Sequence, residues 1–193
     1  MWEEFKKANL ERLKVAKEDG SVDEDMIPLL DLINSFDCFV TTSSCSGRIV
    51  ILDVPKIGDK VRAKFLGKWH RTVKLEEVKD ALEKSQTVTW LISDPPIIHV
   101  ACRDLECARV LMNIANESGF RRCGIISLRR LIVEITSFER LEVPLALNRR
   151  VLVNEEYLNF LVKVANEKLL RGKEKLKRLE SKLLDHISFL RAL

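Results

Sequence analysis

No stretch of this 193-residue sequence approaches the ~20 apolar residues that a bilayer span requires. The opening Met1-Trp2-Glu3-Glu4-Phe5-Lys6-Lys7 also lacks the basic-then-apolar order of a signal peptide. Both absences point to a cytoplasmic chain with no membrane partner. With only 7 glycines and 5 prolines, collagenous and low-complexity character is excluded. The five cysteines, Cys38, Cys45, Cys102, Cys107 and Cys123, are odd in number and contain no C-x-x-C pair. Neither a disulfide framework nor a zinc site has its spacing here, so no metal is expected and most of these thiols read as small core residues. Missing too are G-x-G-x-x-G, G-x-x-x-x-G-K-[ST] and H-E-x-x-H, which disfavours the common dinucleotide, triphosphate and zinc-hydrolase sites.

What remains is 46% apolar and 32% charged, enough to bury a core. The length suits one domain over residues 1–193, with 154–193 as a C-terminal helical extension packed on it. A net charge of +4 is unremarkable until it is located. Between Lys56 and Lys74 there are seven bases against the single acid Asp59, so that segment alone is more positive than the whole chain.

Helical spacing of Trp2, Phe5, Leu10 and Leu13 predicts a first helix that Gly20 ends. Ser21-Val22-Asp23-Glu24 has the form of a capping box for a second helix reaching about Phe36, with Pro28 in its first turn. Strand character then begins. Residues 38–42 and 48–54 flank the polar run Ser43-Ser44-Cys45-Ser46-Gly47, suggesting a hairpin closed by that loop. A third strand passes through Lys64-Phe65-Leu66, a short helix covers 75–85, and strands at 87–93 and 97–102 are separated by Asp94-Pro95-Pro96. Asp104 to Ser118 is a helix with Gly119 as its C-cap, followed by a strand pair at 124–128 and 131–135. Pro144 places the segment 142–145 at an edge or bulge. Leu176, Leu179, Leu183, Ile187 and Leu190 follow a three-four spacing in the final helix, which either packs on the body or forms a homodimer. Short turns between successive strands favour an α+β fold, a mainly antiparallel sheet flanked by helices, over a parallel doubly wound one.

Three clusters carry the chemistry. Thr41-Thr42-Ser43-Ser44-Cys45-Ser46-Gly47-Arg48 sets six hydroxyl or thiol side chains before a glycine and a guanidinium, and reads either as a cradle for a polar ligand or as a self-satisfied turn. Nothing near Cys45 supplies a base to make it a nucleophile. In Ile98-His99-Val100-Ala101-Cys102-Arg103, alternation puts His99 and Arg103 on the face opposite Ile98 and Val100, where they are a polar wall suited to proton transfer and anion pairing or an ordinary structural pair. The basic segment interleaves Lys60, Arg62, Lys64, Lys68 and Arg71 with Phe65 and Trp69, a pattern for RNA or for a solvated edge strand.

These motifs resemble a known family. Gly20-Ser21-Val22-Asp23-Glu24, the run from Thr41 to Ile49, Ile98 to Arg103, Gly119-Phe120-Arg121, Gly124-Ile125, Leu141 to Leu145, Glu155-Glu156-Tyr157 and Ala165 to Lys168 are similar, in order, to the third component of wybutosine synthesis, in its stand-alone archaeal form. Asp94-Pro95-Pro96 and Cys123 depart from that pattern, and neither touches the serine-rich run or His99.

The resemblance implies a tRNA methyltransferase with S-adenosylmethionine as donor and a fold outside the typical Rossmann arrangement. Its substrate would be the 7-aminocarboxypropyl-demethylwyosine base at position 37 of tRNA(Phe), methylated at the N-4 ring nitrogen. Ser43, Ser44, Cys45, Ser46, Gly47, Arg48 and Arg103 are then the cofactor-binding candidates. His99 is the preferred general base and Glu142 the second candidate, while Lys60, Arg62, Lys64, Lys68, Trp69 and Arg71 face the anticodon loop. The competing readings are a non-catalytic RNA-binding module using residues 56–74 and a scaffold using the C-terminal leucine stripe.

Overall fold

A computed structural model of the chain describes residues 1–59 and 61–193. Its chain divides into two compact units, passing between them after Ser46, Pro95, Phe138 and Gly172. Every strand pairing is antiparallel, and no helix is long and apolar enough to cross a membrane among the described residues.

The first unit comprises Met1–Ser46, Pro96–Phe138 and Lys173–Leu193. Helix α1 (Trp2–Glu18) is tied down by Trp2 Nε1, which donates to the Asp37 carbonyl at 2.8 Å, and by the buried Lys6 ammonium, which donates to the Phe36 carbonyl. A 3-10 turn (Glu24–Met26) leads into α2 (Ile27–Asn34), whose Pro28 lies where a missing N–H costs nothing. The expected capping box does not form. Ser21 bonds Asp19 instead, and Asp23 accepts the Ser46 N–H at 2.7 Å. Four strands, β1 (Phe39–Cys45), β5 (Ile97–Cys102), β6 (Arg122–Ser127) and β7 (Ile132–Thr136), form a sheet in the order β1-β5-β7-β6. Ile98, Val100, Cys102, Val133 and Ile135 turn one sheet face toward α2 residues Leu30 and Ile33 and α4 (Leu105–Glu117) residues Leu111 and Ile114. Leu176, Leu179 and Leu183 of the long helix α5 (Glu155–Asp185) and Leu190 of α6 (Ile187–Ala192) complete this core. Asp104 caps α4 by accepting the Cys107 N–H at 2.9 Å, and Gly119 ends it at φ +95°, as its sequence predicts.

The second unit comprises Gly47–Pro95 and Glu139–Gly172. Strands β2 (Arg48–Val54), β3 (Lys64–Trp69), β4 (Val88–Asp94), β8 (Leu141–Leu147) and β9 (Arg150–Val151) pair in the order β3-β2-β4-β8-β9. Ile49, Ile51, Leu91 and Leu145 pack against α3 (Leu75–Leu82) and the first half of α5 through Val78, Leu82, Leu158, Leu161 and Ala165. Asn166 fastens the α3 approach to α5 like a strand partner, accepting the Val73 N–H at 2.8 Å and donating to its carbonyl at 2.9 Å.

One expected hairpin is overturned. The serine-rich run is not a loop between paired strands. It is the second half of β1, whose Ser43, Ser44 and Cys45 pair with His99, Ile98 and Ile97, while β2 joins the other sheet. Hydroxyl side chains do not prevent a backbone from filling a ladder, and the turn itself shrinks to Ser46 and Gly47, the latter at φ +92°. Strands β4 and β5 likewise enter different sheets, because consecutive prolines remove the donors and the tight turn that a hairpin needs. Pro144 behaves as expected, beside a bulge at Leu145.

Asp53 anchors the second unit. Buried on β2, its carboxylate accepts the Thr89 hydroxyl at 2.7 Å, the Thr87 hydroxyl at 3.0 Å, the Thr87 N–H at 3.1 Å and the Gln86 N–H at 3.4 Å. Burial opposes the charge, but these donors outweigh it and hold the carboxyl below its ordinary range. A lowered folded value means stabilisation that is complete above the unfolded value of about 4 and is lost as pH falls through the folded one. Asp53→Asn is expected to cost about 2 kcal/mol at neutral pH by chemical denaturation. The difference from the parent should close as the pH drops below about 4; a gap independent of pH would show that the charge is not responsible.

Candidate active site

One row of side chains crosses the sheet of the first unit. Ser43, His99 and Glu134 occupy opposed positions on β1, β5 and β7. The Ser43 hydroxyl lies 2.7 Å from His99 Nδ1, and Glu134 Oε2 lies 2.8 Å from His99 Nε2. A carboxylate only accepts, so it fixes the proton on Nε2 and leaves Nδ1 to accept from Ser43. Register makes this row. Thr42 is an extra residue in β1, opposite no partner, and in a ladder without this bulge Thr42 rather than Ser43 would stand across from His99. The Thr42 hydroxyl instead donates to the His99 carbonyl at 3.3 Å.

Ser43 also lines a cavity of about 240 Å³ with Thr42, Ser44, Asn9, Arg12 and Leu13. Alongside them Ala16 and Val22 give it an apolar wall opposite the hydroxyls. Further along the run, Ser46 is fully buried. Its N–H goes to Asp23 and its hydroxyl accepts Lys173 Nζ at 3.2 Å, while Lys173 also pairs with Asp25. Arg103 lies just beyond β5, bonded to Asp104 at 3.2 Å and to the Leu193 carbonyl. Burial pushes the Cys107 and Cys123 thiols up to about 12 and Cys102 higher still, so none of these is a thiolate at neutral pH.

Gly47, Arg48, Glu142 and the basic segment belong to the second unit. Arg48 pairs across the ladder with Asp94 at 3.2 Å, and Arg140 meets Asp94 at 3.7 Å and Glu142 at 3.0 Å. Glu142 is thus a charge partner of Arg140. In the basic segment Arg62 is held by Asp59 at 2.6 Å. Arg71 forms a fork on Glu77 at 2.8 and 3.1 Å; its hydrogen bonds, with the Lys74 N–H, bring the Glu77 carboxyl down to about 2 and complete the start of α3. Lys64 and Lys68 are exposed on β3, and Trp69 folds its ring over Gly67. Lys60 lies outside the described residues.

A family model described as Methyltransferase TYW3 matches residues 4–185. The chain belongs to the TYW3 methyltransferase family. It is 56% identical over 183 residues to the tRNA(Phe) 7-((3-amino-3-carboxypropyl)-4-demethylwyosine(37)-N(4))-methyltransferase of Archaeoglobus fulgidus, covering 95% of this chain and 93% of that relative. To the Pyrococcus horikoshii methyltransferase 1 of the same name it is 50% identical, over 94% of both chains. A solved structure of the PH1069 protein from Pyrococcus horikoshii matches with a TM-score of 0.91 at 50% identity, covering 94% of this chain and 95% of that one. A hypothetical protein from Aeropyrum pernix matches with a TM-score of 0.75 at 28% identity, over 84% and 98%.

Membership of the TYW3 family makes the chain a methyltransferase and implies S-adenosylmethionine as its donor. The cavity beside β1 fits one end of such a donor: hydroxyls and Arg12 suit its charged and polar groups, and Leu13, Ala16 and Val22 its apolar ones. Its volume falls short of the roughly 300 Å³ at which whole small-molecule sites begin, so it has room for only part of such a ligand. Sequence reasoning picked out Ser43 and His99 but missed Glu134, Asn9 and Arg12. A lone acid among the apolar residues of β7 was the available signal for Glu134. Trp69 was marked for RNA, yet a Cβ on Gly67 would overlap its ring. Gly67→Ala is therefore expected to displace the indole at a cost of about 1–2 kcal/mol, read as a lower melting temperature with red-shifted tryptophan emission. Unchanged emission would show that the ring does not lie there.

Proposed function

We propose that this chain transfers a methyl group from S-adenosylmethionine to the N-4 ring nitrogen of the 7-(3-amino-3-carboxypropyl)-4-demethylwyosine base at position 37 of tRNA(Phe), in the cytoplasm, with the anticodon loop as the part of the tRNA it engages. Support for the substrate comes from 56% identity across 95% of the chain to a relative named for that reaction. Support for the chemistry comes from one observation: the hydroxyl that lines the cavity, Ser43, is also the hydroxyl bonded to His99. The whole chain, 1–193, serves as the methyltransferase domain, with 154–193 as its helical extension.

When bound, the sulfonium donor supplies a methyl group that needs no further activation. The protein's work is alignment and removal of one proton. Ser44 and Cys45, with Gly47, Arg48 and Arg103, are the groups proposed to hold the reactants, while the buried Ser46 hydroxyl, taken up by Lys173, supports the run from behind. As the target nitrogen gains the methyl group, Ser43 takes the nitrogen's proton while its own hydroxyl proton passes to His99 Nδ1. Glu134 then faces an imidazolium at 2.8 Å, which stabilises the charge that His99 acquires. Glu142 is the second candidate base, held by Arg140. An anticodon-loop base is already unpaired, so presenting it costs less than flipping one from a duplex. Lys64 and Lys68 are the proposed phosphate contacts of the basic segment, with Lys60, Arg62, Trp69 and Arg71 around them.

The reading is tested by incubating the protein with radiolabelled donor and tRNA from a strain lacking this gene. Label is expected in the base 3′ of the anticodon; label elsewhere, or none, overturns the assignment. His99→Gln should keep the fold and donor affinity while slowing transfer by roughly 10²- to 10⁴-fold, with Ser43→Ala acting in the same direction. Undiminished turnover in His99→Gln removes it from the mechanism.

A further inference from the structure

The bases of the segment 56–74 are not equivalent once folded. Arg62 and Arg71 are spent on Asp59 and Glu77, whereas Lys64 and Lys68 make no ion pair among the described residues. Both sit on β3, the edge strand of its sheet. An extra residue at Leu66 breaks the alternation of that strand. Leu66 and Trp69 pack on the core, while Phe65 and Lys68 come together away from it. Phe65 is left 55% exposed, its ring centroid 5.8 Å from Arg48 Cζ and 6.0 Å from Lys68 Nζ. Arg48 is in turn held by Asp94. Lysines alone suffice to keep an edge strand from aggregating. An open phenyl ring between two cations adds nothing to that task.

We propose that Phe65, bracketed by Arg48 and Lys68, is a stacking platform for one unpaired nucleobase of an RNA loop. A ring of this kind offers its face to any base, and the neighbouring Lys68, which makes no ion pair among the described residues, neutralises a phosphate that accompanies it. Paired bases present no free face, so the platform selects loops over duplexes. The inference rests on the proposed tRNA methylation for the class of partner, and of the two aromatic residues interleaved with the bases it assigns the role to Phe65, since Trp69 packs on the core.

Fluorescence anisotropy with an unmodified anticodon stem-loop transcript, set against a fully paired RNA of equal length, tests it. Phe65→Ala and Phe65→Leu should each weaken stem-loop binding by about 5- to 100-fold, with duplex binding unchanged, and Phe65→Trp should bind as the parent does. Lys68→Gln should lower the slope of log affinity against log salt by roughly 0.7 to 1. Phe65 is exposed, so the leucine variant should melt like the parent. Parental stem-loop affinity in Phe65→Leu, or an equal loss on the duplex, overturns the platform. A parent chain that binds the stem-loop through Phe65 yet moves no methyl group overturns the methylation reading instead, so the two failures are distinguishable.

Discussion

One residue of extra length in β1 decides which hydroxyl of the serine run meets His99. With Thr42 bulged, Ser43 stands across the ladder from the imidazole and Glu134 stands on its other side. The two hydrogen bonds lock the ring at both nitrogens, so its orientation is set by three strands rather than by a loop. An imidazole held at both nitrogens is preorganised, because its neighbours rather than solvent fix its orientation. The core beneath enforces it, since Ile98 and Val100 on either side of His99 are fully buried and cannot rotate outward without emptying the core of the first unit.

Carboxylates elsewhere are spent on architecture. Asp23 holds the end of the serine run, Asp53 gathers the residues leading into β4, Asp104 caps α4 and Glu77 starts α3 with Arg71. Each settles orphan backbone donors that would otherwise be costly to bury. This distribution explains why so modest a net charge can coexist with an exposed cationic strand. The acids are consumed near the bases that position elements, and the lysines of β3 are left over.

Helices were legible because their signals are local. Asp104 and Gly119 bracket α4 in the sequence as they do in the fold, and the leucines of the final helix lie where their spacing puts them. The strand pair expected at 124–128 and 131–135 forms as β6 and β7, but the partners of β1, β4 and β5 were not legible, because a short connection says only that two strands follow one another. The polar composition of residues 43–46 suggested a loop, but backbone groups pair without regard to a hydroxyl, and three of those residues belong to the ladder. Glu134 stayed hidden for a related reason: its significance is a cross-strand neighbour, and cross-strand neighbours have no fixed separation in sequence.

Register breaks recur wherever a side chain is re-aimed. Thr42, Leu66 and Ile126 are each an extra residue in β1, β3 and β6, which are edge strands, and Leu145 is one in β8 next to the two-residue β9. At an edge, an unpaired residue forfeits few ladder bonds, so a bulge there is inexpensive. The consequence is specific. Strict alternation in β3 would send Phe65 and Lys68 to opposite faces and bring Leu66 out with Lys68; the bulge instead packs the half-buried Leu66 against the core and pairs the phenyl ring with the ammonium. In β1 the same device pairs a hydroxyl with an imidazole. Period-two reasoning must fail at these positions, since their chemistry exists only because the period is broken.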